Sequence, residues 1–255
     1  MTEQFYRDIA ALQQGGTACL DPQTNDLDSW VFAQLGTRTR DYLLNIGCDS
    51  IEQVLSLARI LGPEGFTLAI DRSYRALSAL SQRSQQMGLE QHIRFLYLDL
   101  DDLPGHLRPE SFDRVLSGRA LTHVKQPQMV CQAIRQALKP GGTFFFYGPA
   151  RKDLMELRLF YASLRQETRE SREVLFMEQI GIPCAQNVFT QVEVMKIEYP
   201  LRFTSPDALY AYWRESSLYA EALDGAFRQA AVQHFQTYAA FETAQRLIGI
   251  KTVNG

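Results

Sequence analysis

The sequence predicts an α/β fold: a doubly wound, mostly parallel seven-stranded sheet with helices on both faces. Three observations predict it. Short apolar runs alternate with stretches of helical periodicity. Several of the runs are apolar throughout, the pattern of strands buried on both faces. Glycine, proline and aspartate fall between the elements rather than within them.

The first strand spans residues 42–46 and ends at an abrupt turn on Gly47. Ile51, Val54, Leu55, Ala58 and Leu61 then recur at the spacing of a helix with one buried face, which Gly62, Pro63 and Gly65 stop. A second strand, 66–70, runs into Asp71. Strand, glycine turn, helix, strand and acid is the layout of a nucleotide-binding βαβ unit. Ser73 is placed to cap a helix carrying Leu77, Leu80 and Met87, closed near Gly88. Residues 93–98 form a third strand, followed by Asp99-Leu100-Asp101-Asp102-Leu103-Pro104. The fourth, 112–116, ends in Ser117-Gly118-Arg119. A helix with Met129, Val130, Ala133, Ile134, Ala137 and Leu138 on one face stops at Lys139-Pro140-Gly141-Gly142, before a fifth, aromatic strand at 143–147.

Ahead of this core, Phe5, Ile9 and Leu12 read as a helix, and Trp30, Phe32 and Leu35 as a short helix over the domain, covering a ligand pocket or simply capping the core. Beyond it, residues 151–180 form a charged helical segment in which Arg158, Arg165, Arg169 and Arg172 share a face with interleaved glutamates. A solvated face is the plain reading and an anion-reading lid the other. Residues 192–197 alternate like a strand, Ser205-Pro206 starts a helix, and a further helix carries Leu223, Phe227, Ala231 and Phe235. Residues 246–253 make a last strand, expected at the sheet's far edge. Right-handed crossovers gather Gly47, Asp71, Asp99, Ser117 and Gly148 at the strand C-termini, where such sheets bind ligands.

At 255 residues the chain has room for one sizeable core, and one domain is expected. Hydrophobic residues make up 45% and charged ones 22%, the balance of a soluble globular protein. A formal net charge of −3 argues against bulk electrostatic binding of nucleic acid. No apolar run approaches the roughly 20 residues that span a bilayer. The start, Met1-Thr2-Glu3-Gln4, lacks a secretory pattern, so a cytoplasmic location is expected, with no membrane partner. Cys19, Cys48, Cys131 and Cys184 are scattered and read as reduced thiols; no metal is expected.

This order of motifs resembles the class I S-adenosylmethionine-dependent methyltransferase family, in particular its UbiE-like small-molecule branch. Asn45-Ile46-Gly47-Cys48-Asp49-Ser50-Ile51 stands where that family has a D-I-G-C-G-T-G-like turn. Leu68-Ala69-Ile70-Asp71-Arg72-Ser73 matches its second strand and acid. Leu98-Asp99-Leu100-Asp101-Asp102-Leu103-Pro104 matches G-D-A-x-x-L-P, and Phe112-Asp113-Arg114-Val115 matches F-D-x-V. Ala120-Leu121-Thr122-His123-Val124 is similar to A-L-H-H-V, and Leu138-Lys139-Pro140-Gly141-Gly142 to L-K-P-G-G. Under this resemblance the domain is Rossmann-like and single over 1–255: a helical cover at 1–40, a cofactor-binding core at 41–150, and a helical insertion that completes the sheet at 151–255.

The resemblance implies S-adenosylmethionine as cofactor, held by Gly47, Cys48, Asp49, Asp71, Arg72, Asp99, Leu100 and Ser117. Asp71 takes the ribose hydroxyls or, read without the family, simply caps a turn. Asp99 accepts from the adenine amino group, Leu100 covers the ring, and Asp101 and Asp102 are solvated turn charges. His123 is either a general base for the methyl acceptor or a histidine packed behind the fourth strand. Tyr6, Tyr147 and Tyr219 are further candidates to line the pocket.

The departures from the family pattern are as informative. Asp49 and Ile51 replace the second and third glycines of the turn, and Asn45 the leading acid, which weakens or reroutes the cofactor contact. No N/D-P-P-Y-like sequence follows the fourth strand. The expected function is methylation of a small apolar or aromatic metabolite by a monomer or homodimer. The alternative is a methyltransferase-like protein with lost or altered cofactor binding, serving as a scaffold subunit or a non-methylating biosynthetic catalyst.

Overall fold

The computed structural model describes residues 27–48, 50–165, 172–216 and 218–255. Among them the chain forms two compact units, the larger made of 27–151, 172–197 and 247–255, the smaller of 152–165 and 198–246.

In the larger unit, helix α1 (Leu27–Leu35) precedes strand β1 (Tyr42–Ile46), α2 (Ile51–Leu61), β2 (Phe66–Asp71), α3 (Tyr74–Gln86) and β3 (Ile93–Tyr97). Then come β4 (Phe112–Gly118), α4 (Pro127–Ala137) and β5 (Leu138–Pro149). The cap predicted at Ser73 forms, accepting the Ala76 N–H at the start of α3, and Ser50 likewise accepts the Gln53 N–H at the start of α2. β1 is flanked by β2 and β4, and β2–β3 and β4–β5 extend the sheet, all in parallel.

The remaining elements are α5 (Met155–Arg165), α6 (Arg172–Phe176), α7 (Ile182–Val188), β6 (Gln191–Phe203), α8 (Pro206–Glu215), α9 (Asp224–Thr237) and β7 (Phe241–Val253). The seven strands lie in the order β3-β2-β1-β4-β5-β7-β6. The fold is therefore the α/β class expected, with one antiparallel member. β7 does not lie at the edge: it sits between β5 and β6, antiparallel to β5. Its almost unbroken burial explains the place, whereas β6 alternates exposed and half-buried residues as an edge strand does. Of the charged stretch after 150, α5 falls in the smaller unit and α6 in the larger.

The Lys139-Pro140-Gly141-Gly142 turn is a register shift within β5 rather than a stop before it. Gly141, at φ +74, donates its N–H to Asn254 O (2.6 Å), and Asn254 N–H returns to Gly142 O (2.9 Å). The core of the larger unit collects Leu44, Ile46, Val115, Ile134, Phe144 and Phe146 with Phe176, Met177 and Cys184. Trp30 of α1 packs edge-on against Phe145, with ring centroids 5.3 Å apart.

The smaller unit has its own core. Trp213 stacks face to face on Phe227 at 4.0 Å and meets Tyr219 edge-on at 5.0 Å, and Phe203 packs on Tyr212. The aromatic residues of the C-terminal half are thus spent on one another. Tyr219 serves that core and Tyr6 lies outside the described residues.

Candidate functional site

The winding of the sheet reverses between β1 and β4, whose neighbouring C-termini put Ile46 in register with Ser117. The loops that leave these two strands form the site.

Gly47 leaves β1 at φ +84, a region that favours glycine. A Cβ built there would stand 2.8 Å from the Cβ of Ala120, so the turn of β1 and the turn of β4 are in contact. The turn is tied down from three directions. Gly47 N–H donates to Ile70 O (2.8 Å), the buried Asn45 amide donates to Gly47 O (2.7 Å), and Cys48 N–H donates to Asp71 Oδ2 (2.7 Å). The other carboxylate oxygen of Asp71 accepts Ser73 N–H at 2.7 Å. The Asn45 departure acquires a reason: its donor reaches a carbonyl that an aspartate there would repel. The Cys48 side chain is fully buried, so only its backbone is available to a ligand. Asp49 lies outside the described residues, and Ile51 is half-buried at the first turn of α2. Gln53, also buried, ties α2 to the cover helix α1 by donating to Asp28 Oδ1 at 2.6 Å.

Asp99 is exposed and accepts the Asp101 N–H (3.1 Å), while Leu100 is 8% exposed and belongs to the main core. Asp101 is not the solvated turn charge expected. Its Oδ1 accepts the N–H groups of Lys125 (2.9 Å) and Gln126 (3.1 Å), so the loop after β3 holds the segment that enters α4. No spacing in the sequence signals this, because the partners are backbone groups 24 and 25 residues away.

Near the C-terminal end of β4, Ser117 is 1% exposed and its hydroxyl has no hydrogen-bond partner. Arg119 follows at φ +54, an uncommon conformation for a non-glycine residue. It is held there by its N–H to Tyr147 O (2.7 Å) and by Thr122, whose N–H and hydroxyl both donate to Arg119 O. The short turn Ala120–His123 carries His123, half-buried at the edge of the site. Burial holds its imidazole below the ordinary value near 6.5; Arg72 and Arg172 push the same way, and Glu173 opposes them. The ring is neutral at pH 7 and able to accept a proton. Arg172 is not a free solvated charge: its Nη2 donates to Val124 O at 2.8 Å. Tyr147 is buried against Trp30 and Phe145.

Cys131 of α4 and Cys184 of α7 meet in the core. The contact with Cys184, together with burial, pushes the Cys131 thiol well up. Enclosed in this way, Cys184 cannot present a nucleophile to a large substrate.

A seven-stranded sheet in this order, with an acid closing β2 and a glycine turn at its switch point, is the fold of the class I S-adenosylmethionine-dependent methyltransferase family. The methyltransferase-domain family matches residues 40–213, most of the chain, and the protein belongs to it. The "Biotin biosynthesis bifunctional protein BioHC" of Teredinibacter turnerae is 28% identical over 187 residues, covering 71% of this chain and 32% of that protein. The 2-phytyl-1,4-naphtoquinone methyltransferase of Trichormus variabilis is 28% identical over 125 residues, covering 49% of this chain and 54% of that one. The chain therefore spans between a third and about half the length of these two relatives. Among solved structures, the [4+2]-cyclase SpnF superposes with a TM-score of 0.56 at 16% identity, covering 89% of this chain and 80% of that one.

The family implies S-adenosylmethionine, and the residues present fit it. The left-handed Gly47 leaves a backbone surface without a side chain, Ser117 offers a buried hydroxyl with nothing to bond, and the Asp71 carboxylate keeps acceptor capacity beyond its two amides. Among the described residues no helix is long and apolar enough to cross a membrane.

Proposed function

We propose that the protein is a methyltransferase that binds S-adenosylmethionine at the β1–β4 switch point and methylates a small acceptor with an apolar or aromatic body. The observation that carries this reading is the unpartnered Ser117 hydroxyl, buried in register with Ile46 beside the Gly47 turn. An unpaired buried hydroxyl costs free energy, and a bound ligand is the economical reason to keep one. The name of one relative, 2-phytyl-1,4-naphtoquinone methyltransferase, supports an apolar acceptor.

When bound, the cofactor supplies a methyl group on a sulfonium centre. The residues of the chain do the rest by alignment. The remaining acceptor capacity of Asp71 takes the ribose hydroxyls, with Arg72 beside it. The backbone of Gly47 and Cys48, with Ser117, lines the amino-acid end. Asp99 accepts from the adenine amino group while Leu100 covers the ring. His123, neutral through burial, removes the acceptor's proton where the acceptor carries one. We expect a small-molecule acceptor, with neither nucleic acid nor membrane as partner, and a monomer or homodimer in the cytoplasm.

A second reading is favoured by a specific observation. Both oxygens of Asp71 already serve backbone amides, and the [4+2]-cyclase SpnF shares the fold. A methyltransferase-like binding subunit, or a catalyst that does not transfer methyl groups, would need no ribose contact. Titration calorimetry with S-adenosylmethionine and S-adenosylhomocysteine separates the two. Saturable heat is expected with both; neither heat nor a thermal shift at millimolar ligand would remove the methyl-transfer reading and leave the second.

A further inference from the structure

We infer that Glu173 is a positioning residue for His123. From α6 it fixes which ring nitrogen carries the hydrogen, and it offsets the charge that appears when the other nitrogen takes a proton from the acceptor. The inference rests on the function proposed above and adds a second residue to its proton-removing step.

The segment that carries Glu173 is seated on the turn Ala120–His123 at both neighbours of the histidine. After it, Arg172 Nη2 donates to Val124 O at 2.8 Å. Before it, the contact comes from further along the same segment, where α6 runs on into a π-helical turn, Met177–Gly181. A Cβ built on Gly148 would stand 3.0 Å from Met177 Cγ and Sδ and 3.7 Å from Thr122 Cγ2, so Met177 and Thr122 share the space that the missing side chain leaves. Wide helical turns of this kind are rare and frequent at functional sites. Glu173 follows Arg172 directly and is half-buried. Among the described residues no hydrogen bond or ion pair occupies its carboxylate.

The charges of the region meet at His123. Burial disfavours the imidazolium, and so do Arg72, just beyond β2, and Arg172. Glu173 opposes them and is the largest charge contribution at the ring. With burial and cations alone, the histidine would hold a proton poorly. A carboxylate beside it accepts one ring N–H in the neutral form and leaves the lone pair of the other nitrogen for the acceptor. When the acceptor's bond to hydrogen breaks, its electron pair stays on the acceptor atom. The proton forms a new N–H bond on His123, and the resulting imidazolium–carboxylate pair is neutral as a whole. An acid in the first turn of a helix also interacts favourably with the helix N-terminus, which by itself is a structural reason for Glu173. The two roles predict different results.

The test follows the His123 imidazole by NMR across pH in the full chain, free and saturated with S-adenosylhomocysteine, beside thermal denaturation of each variant. Glu173→Gln is expected to weaken proton binding by His123 at least about threefold, because it removes the anion that favours the charged ring. It should also change the ring-nitrogen shifts that report the tautomer. Glu173→Asp should recover part of both. In the wild-type chain the Glu173 carboxyl carbon is expected to sense the same titration as His123, as coupled groups do. A lowered melting temperature in Glu173→Gln, with proton affinity and tautomer of His123 unaltered, would leave Glu173 a helix-end residue and overturn the inference. So would tighter proton binding in that variant, or a wild-type Glu173 signal blind to the His123 titration. If the chain binds no S-adenosylhomocysteine, the methyltransferase reading fails by itself, and titration of the free chain still decides whether the two residues are paired.

Discussion

The two loops at the switch point treat their polar groups in opposite ways. After β1, the available groups are spent on the turn itself: Asn45 on Gly47 O, Gly47 N–H on Ile70 O, Cys48 N–H on Asp71, and Ser73 N–H on the other oxygen of Asp71. At the end of β4, the Ser117 hydroxyl is buried with nothing to bond, and just beyond the strand Arg119 is held at positive φ. The first loop is organised for its own stability and the second retains capacity for something else. A turn short of glycines keeps its shape with the help of the Asp71 carboxylate, which accepts the Cys48 and Ser73 amides. Where the sequence looks damaged, the structure is well bonded, and where the sequence looks ordinary, the structure is under-satisfied.

The largest expected effect that could break this contrast is at Asp71. Its replacement by alanine leaves two amides inside the protein without acceptors, at a cost of about 3 kcal/mol in stability. For a chain of this size that is a fall in melting temperature of roughly 6–12 °C. A melting temperature within a degree or two of wild type would show that the carboxylate is not needed by the turn. Gly47→Ala comes next. The residue must keep φ +84 and its new methyl meets Ala120 Cβ at 2.8 Å, so a loss of about 2 kcal/mol is expected from strain and contact together. Thermal denaturation reads it, and an unchanged midpoint would mean that the two loops part without cost.

Most of the framework was legible in the sequence because it rests on local patterns. Ser73 caps the helix it is expected to cap, and the helix expected to start at Ser205-Pro206 does so with Ser205 as its cap. Gly47 and Gly141 take the positive φ their turns need. The misreadings share one cause, partners distant in the chain. Local pattern leaves β7 at the edge because its pairing with β5 leaves no local mark, and Glu242, Gln245, Arg246 and Lys251 interrupt its apolar residues although the strand is buried along most of its length. Asp101 looked like a solvated charge because its acceptors are satisfied by backbone amides. Arg172 was grouped with Arg158 by helical spacing, yet the two stand on different helices in different units. For the site, the sequence located the strand ends but not how their groups are used. Asp71 illustrates this best, since a ribose acceptor and a turn clasp call for the same residue at the same position.

The smallest expected effect is also the sharpest, because it separates stability from binding. Ser117→Ala removes a buried hydroxyl that has no partner, so stability is expected to hold or to rise by up to about 1 kcal/mol. S-adenosylhomocysteine affinity, measured by calorimetry, is expected to fall by about tenfold at most, the worth of one neutral hydrogen bond. Thr67 is the internal control. Its hydroxyl is equally buried and unpartnered, but it lies near the start of β2, opposite Leu43, on the side of the sheet away from the switch point. Thr67→Val should therefore match Ser117→Ala in melting temperature and leave the affinity alone. If both variants bind like wild type, the Ser117 hydroxyl is merely a packing residue and the contrast between the two loops reduces to chance. If Ser117→Ala alone loses affinity while keeping its stability, the under-satisfied loop is the one that meets the ligand.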